Sequence, residues 1–287
     1  LRRRPSPPAE GSESRDAAAV GQPTAVQRQM AADAAKRQAG LLPMWSSVDV
    51  QFYGKIKLDA AIDSARTSTG NFARWVTPQP GNASDSQFNM TANETRLGLK
   101  LDGPTTGGLQ TGGVVEVDFY GGGGENKPNP MLRHAYMRLQ WPEQDVEIIA
   151  GQTWDVISPL NPSTLNYPVQ WWAGNIGYRR PQVRVTKGVP LGEGVKATFA
   201  AAATRNIGHA SGFDPGDSGE DSALPGLQGR AALSFPGIGG RTMTVGVSSH
   251  WAHEEYDVDA DDRNVDLDSW SANLDLQVPV CDWLAIK

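Results

Sequence analysis

The feature that most constrains this sequence is a two-residue alternation of apolar and polar side chains, which begins at Val48 and recurs to the carboxyl terminus. In its first segment Val48, Val50, Phe52, Ile56, Leu58, Ala60 and Ile62 alternate with Asp49, Gln51, Tyr53, Lys55, Lys57, Asp59 and Asp63. Successive side chains of an extended strand point to opposite faces, so a period of two means a strand with one apolar and one polar face. The same pattern returns at 95–102, 115–120, 134–141, 180–186, 195–201 and 270–278. Less regular strands are expected at 146–153, 228–235, 241–254 and 283–287.

The connections carry a second signal, because their lengths alternate. Long ones lie at 64–92, 122–130, 154–174, 206–227 and 255–266, and shorter ones at 103–112, 142–145, 188–194, 236–240 and 279–282. An up-and-down meander with one ragged rim and one neat rim is the layout of an outer-membrane barrel, with short periplasmic turns and long external loops. A soluble sandwich has no physical reason to sort its loops by side. The expected fold class is therefore all-β, an antiparallel up-and-down transmembrane β-barrel, located in a bacterial outer membrane and bathed by its lipid. Trp141, Trp251, Trp270 and Trp283 lie near strand ends and are candidates for an interfacial aromatic girdle.

Composition removes several alternatives. No apolar run approaches the roughly 18 residues of a transmembrane helix, and the mean hydropathy is negative. A net charge of −6 argues against nucleic acid as a partner. The single cysteine, Cys281, cannot form an internal disulfide. Residues 1–22 are rich in Pro, Ser, Glu and Ala and read as disordered, whereas 23–39 are strong helix formers ended by Gly40. The expected organisation is a disordered and helical periplasmic arm at 1–47 and a barrel at 48–287. About eleven strands are expected, and since single-chain bacterial barrels have an even number, the barrel is expected to be incomplete. The sequence would then be a fragment, holding about two-thirds of a parent wall of ~16 strands.

Five segments in order, FYGKIKLDAAID (52–63), TRLGLKLDGP (95–104), RHAYMRLQWP (133–142), EIIAGQTWDVISPLNP (147–162) and GNIGYRRPQVRV (174–185), resemble the DcaP-like trimeric porins of Gram-negative bacteria. The resemblance covers most of 48–187. It implies a homotrimer, a periplasmic amino-terminal coiled-coil arm, and passive diffusion of small hydrophilic solutes, in particular organic anions such as dicarboxylates.

In such a channel, selection is done by groups lining the pore and by any loop folded into it. The loop after the fifth strand, restrained by Pro159, Pro162 and Pro168, is the candidate constriction, with Trp154, Asp155, Asn161, Asn166, Tyr167, Trp171 and Trp172 as its expected lining. Asp155 is its only carboxylate; the alternative is an external loop packed on its neighbours. Lys55, Lys57, Arg96, Arg138, Arg180 and Arg184 fall on inward-facing positions and form a candidate anion-binding array, since each guanidinium offers a planar fork to a carboxylate. Glu116 and Asp118 lie between Arg96 and Arg138, and neutralising ion pairs that stiffen the wall are the competing reading.

Other motifs carry little chemistry. The stretch from Asp257 to Asp268 lacks the glycine and final glutamate of a calcium loop and reads as an acidic surface loop. The run Gly121 to Gly124 lacks phosphate-loop spacing. His134, His209, His250 and His253 show no metal spacing, so neither metal nor cofactor is expected. Ser248 and Ser249 beside His250 lack an orienting acid, and an enzyme is not expected. The alternatives to a porin are an outer-membrane barrel enzyme and a soluble β-rich binding protein.

Overall fold

The computed structural model describes residues 48–67, 76, 86–124, 127–157, 159–160, 177–208, 221–257 and 264–287. The arm expected at 1–47, with its helix at 23–39, lies outside the described residues. The strands are β1 (Asp49–Lys55), β2 (Asp59–Asp63), β3 (Gln87–Thr91), β4 (Arg96–Thr106), β5 (Leu109–Asp118), β6 (Gly123–Gly124), β7 (Lys127–Pro128) and β8 (Met131–Trp141). They continue with β9 (Val146–Trp154), β10 (Arg179–Gly192), β11 (Val195–Thr204), β12 (Gly226–Pro236), β13 (Thr242–Asp257), β14 (Asn264–Cys281) and β15 (Leu284–Ile286). Eleven of them form one sheet in the order β1-β4-β5-β8-β9-β10-β11-β12-β13-β14-β15, while β2 with β3 and β6 with β7 form separate hairpins. Every pairing is antiparallel.

The two faces are inverted relative to a soluble protein. Phe52, Leu97, Val183, Phe199, Leu227, Val247 and Leu274 are exposed, whereas Glu116, Asp118, Arg133, Gln182, Thr204, Gln228 and Ser248 are buried. Cross-strand register puts the apolar set on one face, as in the row Val50, Leu101, Gly113, Met137, Ala150, Val183, Ala203, Leu227, Trp251 and Trp270. Water would make so large an apolar surface costly, at about 25 cal/mol per Å²; hydrocarbon removes that cost. This is the wall of an outer-membrane barrel, with lipid on the apolar face and the interior on the polar one. Among the described residues no helix is long and apolar enough to cross a membrane.

The neat rim is tighter than the sequence pattern implies. The connection expected at 103–112 shrinks to Gly107 and Gly108, and the one expected at 188–194 to Glu193 and Gly194. All four turn residues have positive φ, between 52° and 81°, the left-handed geometry that two-residue hairpins need to match strand twist. The alternation through these turns was therefore strand, not loop. The first strand is interrupted instead: its apolar pattern runs unbroken through Ile56 and Leu58, but ladder pairing stops between β1 and β2. Three residues there face the four of 92–95, where a turn at Asn93 and Glu94 breaks the ladder, and the Lys57 N–H donates to Thr95 Oγ1 at 3.3 Å instead.

Candidate functional site

The inner face is lined with ion pairs that bridge neighbouring strands. Glu94 accepts from both Lys55 and Lys57, and Lys57 also lies 3.2 Å from Asp59. Arg96 Nε lies 3.4 Å from Glu116 Oε1, and the Tyr53 hydroxyl donates to Glu116 Oε2 at 2.9 Å. Tyr53 reaches it by lying across Gly98, where any Cβ would collide with its ring. Of the sequence candidates, then, Lys55, Lys57 and Arg96 have carboxylate partners within the wall.

The strongest pairing belongs to a residue that the alternation did not single out. Between β5 and β8 the register slips, so that Glu116 faces His134 while Val117 faces Leu132. This bulge turns Arg133 inward beside His134. Arg133 Nε donates to Glu116 at 2.7 Å and Nη1 to Asp118 at 2.5 Å, with both partners buried. Glu116 and Asp118 thus neutralise Arg96 and Arg133. Among the described residues no carboxylate pairs with Arg138, whose guanidinium runs along Gly112.

Arg180 and Arg184 project from β10. Arg184 Nη1 donates to the Trp154 carbonyl at 3.3 Å. Arg180 Nε lies 3.0 Å from Asp155 Oδ1. Asp155 therefore does not stand in open lumen: its side chain is fully covered, and it also accepts from the Tyr178 N–H at 2.9 Å. The chain beyond β9 turns onto the inner face, where the Val156 N–H donates to Gln228 Oε1 of β12 at 2.8 Å. Trp154 is half-buried at the end of β9, with Arg179 stacked 4.6 Å from its ring. Asn161, Asn166, Tyr167, Trp171 and Trp172 lie outside the described residues.

Within most of these pairs the base is more accessible than the acid. Side-chain exposure is 42% for Lys55 against 8% for Glu94, 23% for Arg96 against 8% for Glu116, and 11% for Arg180 against 0% for Asp155. Arg133 departs from this order relative to Glu116, because the bulge sinks it into the wall. Carboxylates form the layer next to the backbone, and cations cover them on the lumen side.

Toward the end of the sheet the inner face changes character. Ser234 bonds Thr244 at 2.9 Å, His250 bonds Ser271 at 2.7 Å, and Asn273 donates to Ser271 at 3.3 Å. Arg230 and Asp275 form a pair across β13, over Gly246, which offers no side chain to obstruct them. His253 faces outward with Trp251 and pairs with Asp268 at 3.0 Å. Among the described residues no group of His, Cys, Asp and Glu is arranged to hold a metal.

A family model described as DcaP outer membrane protein matches residues 36–186. Among solved structures, the outer membrane channel DcaP of Acinetobacter baumannii matches with a TM-score of 0.61 at 23% identity, covering 83% of this chain and 61% of that one. OmpT of Vibrio cholerae, folded in vitro and in its trimer form, gives a TM-score of 0.36 at 12% identity, covering 79% of this chain and 71% of that one. No curated protein sequence matches. The chain therefore spans 61% of the length of the solved channel it resembles in fold.

Proposed function

Since the chain belongs to the DcaP outer membrane protein family, we propose that it forms the wall of a porin through which small hydrophilic solutes diffuse passively, with a preference for organic anions such as dicarboxylates. The observation that carries this reading is the layering of the inner face, where buried carboxylates underlie more accessible lysine and arginine side chains. Fixed cations near a solute path raise the local concentration of anions and lower that of cations. Lys55, Lys57, Arg96, Arg138 and Arg184 are the groups assigned to that path, with Arg138 and Arg184 expected to contribute most because among the described residues neither forms an ion pair with a carboxylate. Arg180 belongs to the same array, with its charge shared with Asp155.

The narrowing of the pore is assigned to the segment that starts at Trp154 and Asp155 and runs through Asn161, Asn166, Tyr167, Trp171 and Trp172. Its support is the inward turn at Asp155, Val156 and Ile157, all three buried. Assembly as a homotrimer is part of the proposal and rests on the family resemblance.

The test is the reversal potential of single channels across a salt gradient. Anion preference is expected, reduced by Arg138→Gln. Cation preference in the unsubstituted channel would sink the proposal.

A further inference from the structure

We infer that His253 is a pH-operated clasp at the outer end of the β13–β14 hairpin: protonated, it bridges Asp268 and Asp266 of β14, and neutral, it leaves three carboxylates facing one another across the two strands. The clasp belongs to the rim of the wall and does not depend on what the pore conducts.

Trp251 and Trp270 stand opposite each other in register on the apolar face, and both are exposed. Same-face positions lie two residues apart along a strand, so the next pairs toward the tip are His253 with Asp268 and Glu255 with Asp266. The apolar face thus gives way to ionisable groups directly past the two tryptophans, which is how an aromatic girdle marks the edge of the hydrocarbon. His253 lies on the water side of that edge, its ring stacked on Trp251 with centroids 6.5 Å apart. From Ala252 to Asp257 β13 has no ladder with β12 and pairs with β14 alone. In place of that ladder, Asn206 Nδ2 and Ser222 Oγ, from the connection between β11 and β12, donate to the His253 carbonyl at 3.0 and 2.8 Å. The backbone of His253 is therefore held on the β12 side, while its ring works on the β14 side.

Each ring nitrogen faces a different carboxylate: Nδ1 lies 3.0 Å from Asp268 Oδ1, and Nε2 lies 3.9 Å from Asp266 Oδ1. A neutral imidazole carries one N–H, so only the doubly protonated ring presents a donor to both. Glu255 is the third acid, directly opposite Asp266, and like charges in that position destabilise an antiparallel pair. Asn264 donates to Glu255 but brings no charge. Among the described residues no lysine or arginine pairs with Glu255, Asp266 or Asp268, so the balance falls to His253. The hydrogen bond with Asp268 and the charges of Asp268, Asp266 and Glu255 raise the histidine above its ordinary value, against the opposing pull of desolvation. A raised folded value means that stabilisation is complete below the ordinary histidine range and is lost as pH rises through the folded value. Alkaline pH therefore unfastens the hairpin end, while the part of β13 that also pairs with β12 stays closed.

Amide hydrogen exchange of the full-length protein in detergent tests the clasp, between about pH 5.5 and about pH 8.5, where carboxylates stay ionised while histidine titrates. Each rate is corrected for the intrinsic pH dependence of amide exchange. Amides of 252–257 and 264–269 are expected to exchange roughly two- to fivefold faster at the alkaline end, the scale of an exposed ion pair, while those of 244–250 keep one corrected rate. His253→Gln should show the fast rate at the tip throughout. His253→Lys, which keeps a cation over the whole range, should show the slow rate throughout. A corrected tip rate that does not change with pH in the unsubstituted protein overturns the clasp, and so does a pH dependence that survives in full in His253→Lys.

Discussion

The inner face is built in two ways along the sheet. From β1 to β10 it is a charged wall, in which Glu94, Glu116, Asp118 and Asp155 lie beneath lysines and arginines. From β12 to β14 hydroxyl, amide and imidazole groups bond one another across strands, with a single ion pair on that inner face among the described residues, Arg230 with Asp275. In both halves polar groups bond one another across strands, yet the halves differ in what failure costs. A hydroxyl that loses its partner can turn to water, while a buried carboxylate that loses a cation keeps the cost of its own desolvation with less charge to offset it. On the proposed reading, the charged half combines two jobs, presenting cations to the lumen and holding its own acids in place.

The contrast can be broken most directly at the bulge. Arg133→Met leaves Glu116 and Asp118 without their main partner and should cost about 3–5 kcal/mol; urea-unfolding midpoints in detergent would show it, and a near-neutral result would erase the distinction between the halves. In the other half, Asp275→Asn keeps shape and one acceptor opposite Arg230, so a smaller loss of about 1.5–3 kcal/mol is expected in the same assay. Equal losses at the two sites would mean that burial depth does not govern the wall.

The smallest effect is a pH dependence at Glu94, in the turn ahead of β4. Burial alone would raise its carboxyl, but hydrogen bonds and charge from Lys55 and Lys57 outweigh burial and hold it below the ordinary carboxylate range. A depressed folded value means that stabilisation is complete above the ordinary carboxylate range and is lost as pH falls through the folded value. Thermal loss of heat-modifiable migration, followed from neutral to acid pH, should show that limb, and Glu94→Gln should flatten it. An identical acid limb in both proteins would place the titration elsewhere.

Much of this wall was legible as sequence because a sheet with unlike surroundings on its two faces must alternate, and the alternation reads directly as inside and outside. Sidedness of the loops was legible for a similar reason, since only one rim is free to grow. What escaped the pattern were the places where the period breaks. Arg133 falls one step out of phase with His134 and would be assigned to lipid. A charge at such a position is itself the signal of a bulge, and this one could have been found that way. Gly107 and Gly108 read as the centre of a loop, because glycine pairs mark turns without saying how short they are. Asp155 read as the carboxylate of a pore eyelet, since a linear pattern gives no hint that the chain doubles back to Tyr178 and across to Gln228. Asn161, Asn166, Tyr167, Trp171 and Trp172 remain proposals for the narrowing.

The strand order has a consequence for how such a wall comes into being. Apart from the two small hairpins, each strand of the sheet pairs only with those before and after it in the chain, so the pairings are local and their closure entropy is small. The two-residue turns at Gly107 and Glu193 should zip early, giving β4 with β5 and β10 with β11 as the first hairpins. The β1–β4, β9–β10 and β11–β12 pairings span far longer stretches of chain and should form later. During biogenesis, then, two of the seams that close late carry Lys55 against Glu94 and Asp155 against Arg180, and ion pairing there would act as a late fastening between parts of the sheet already assembled.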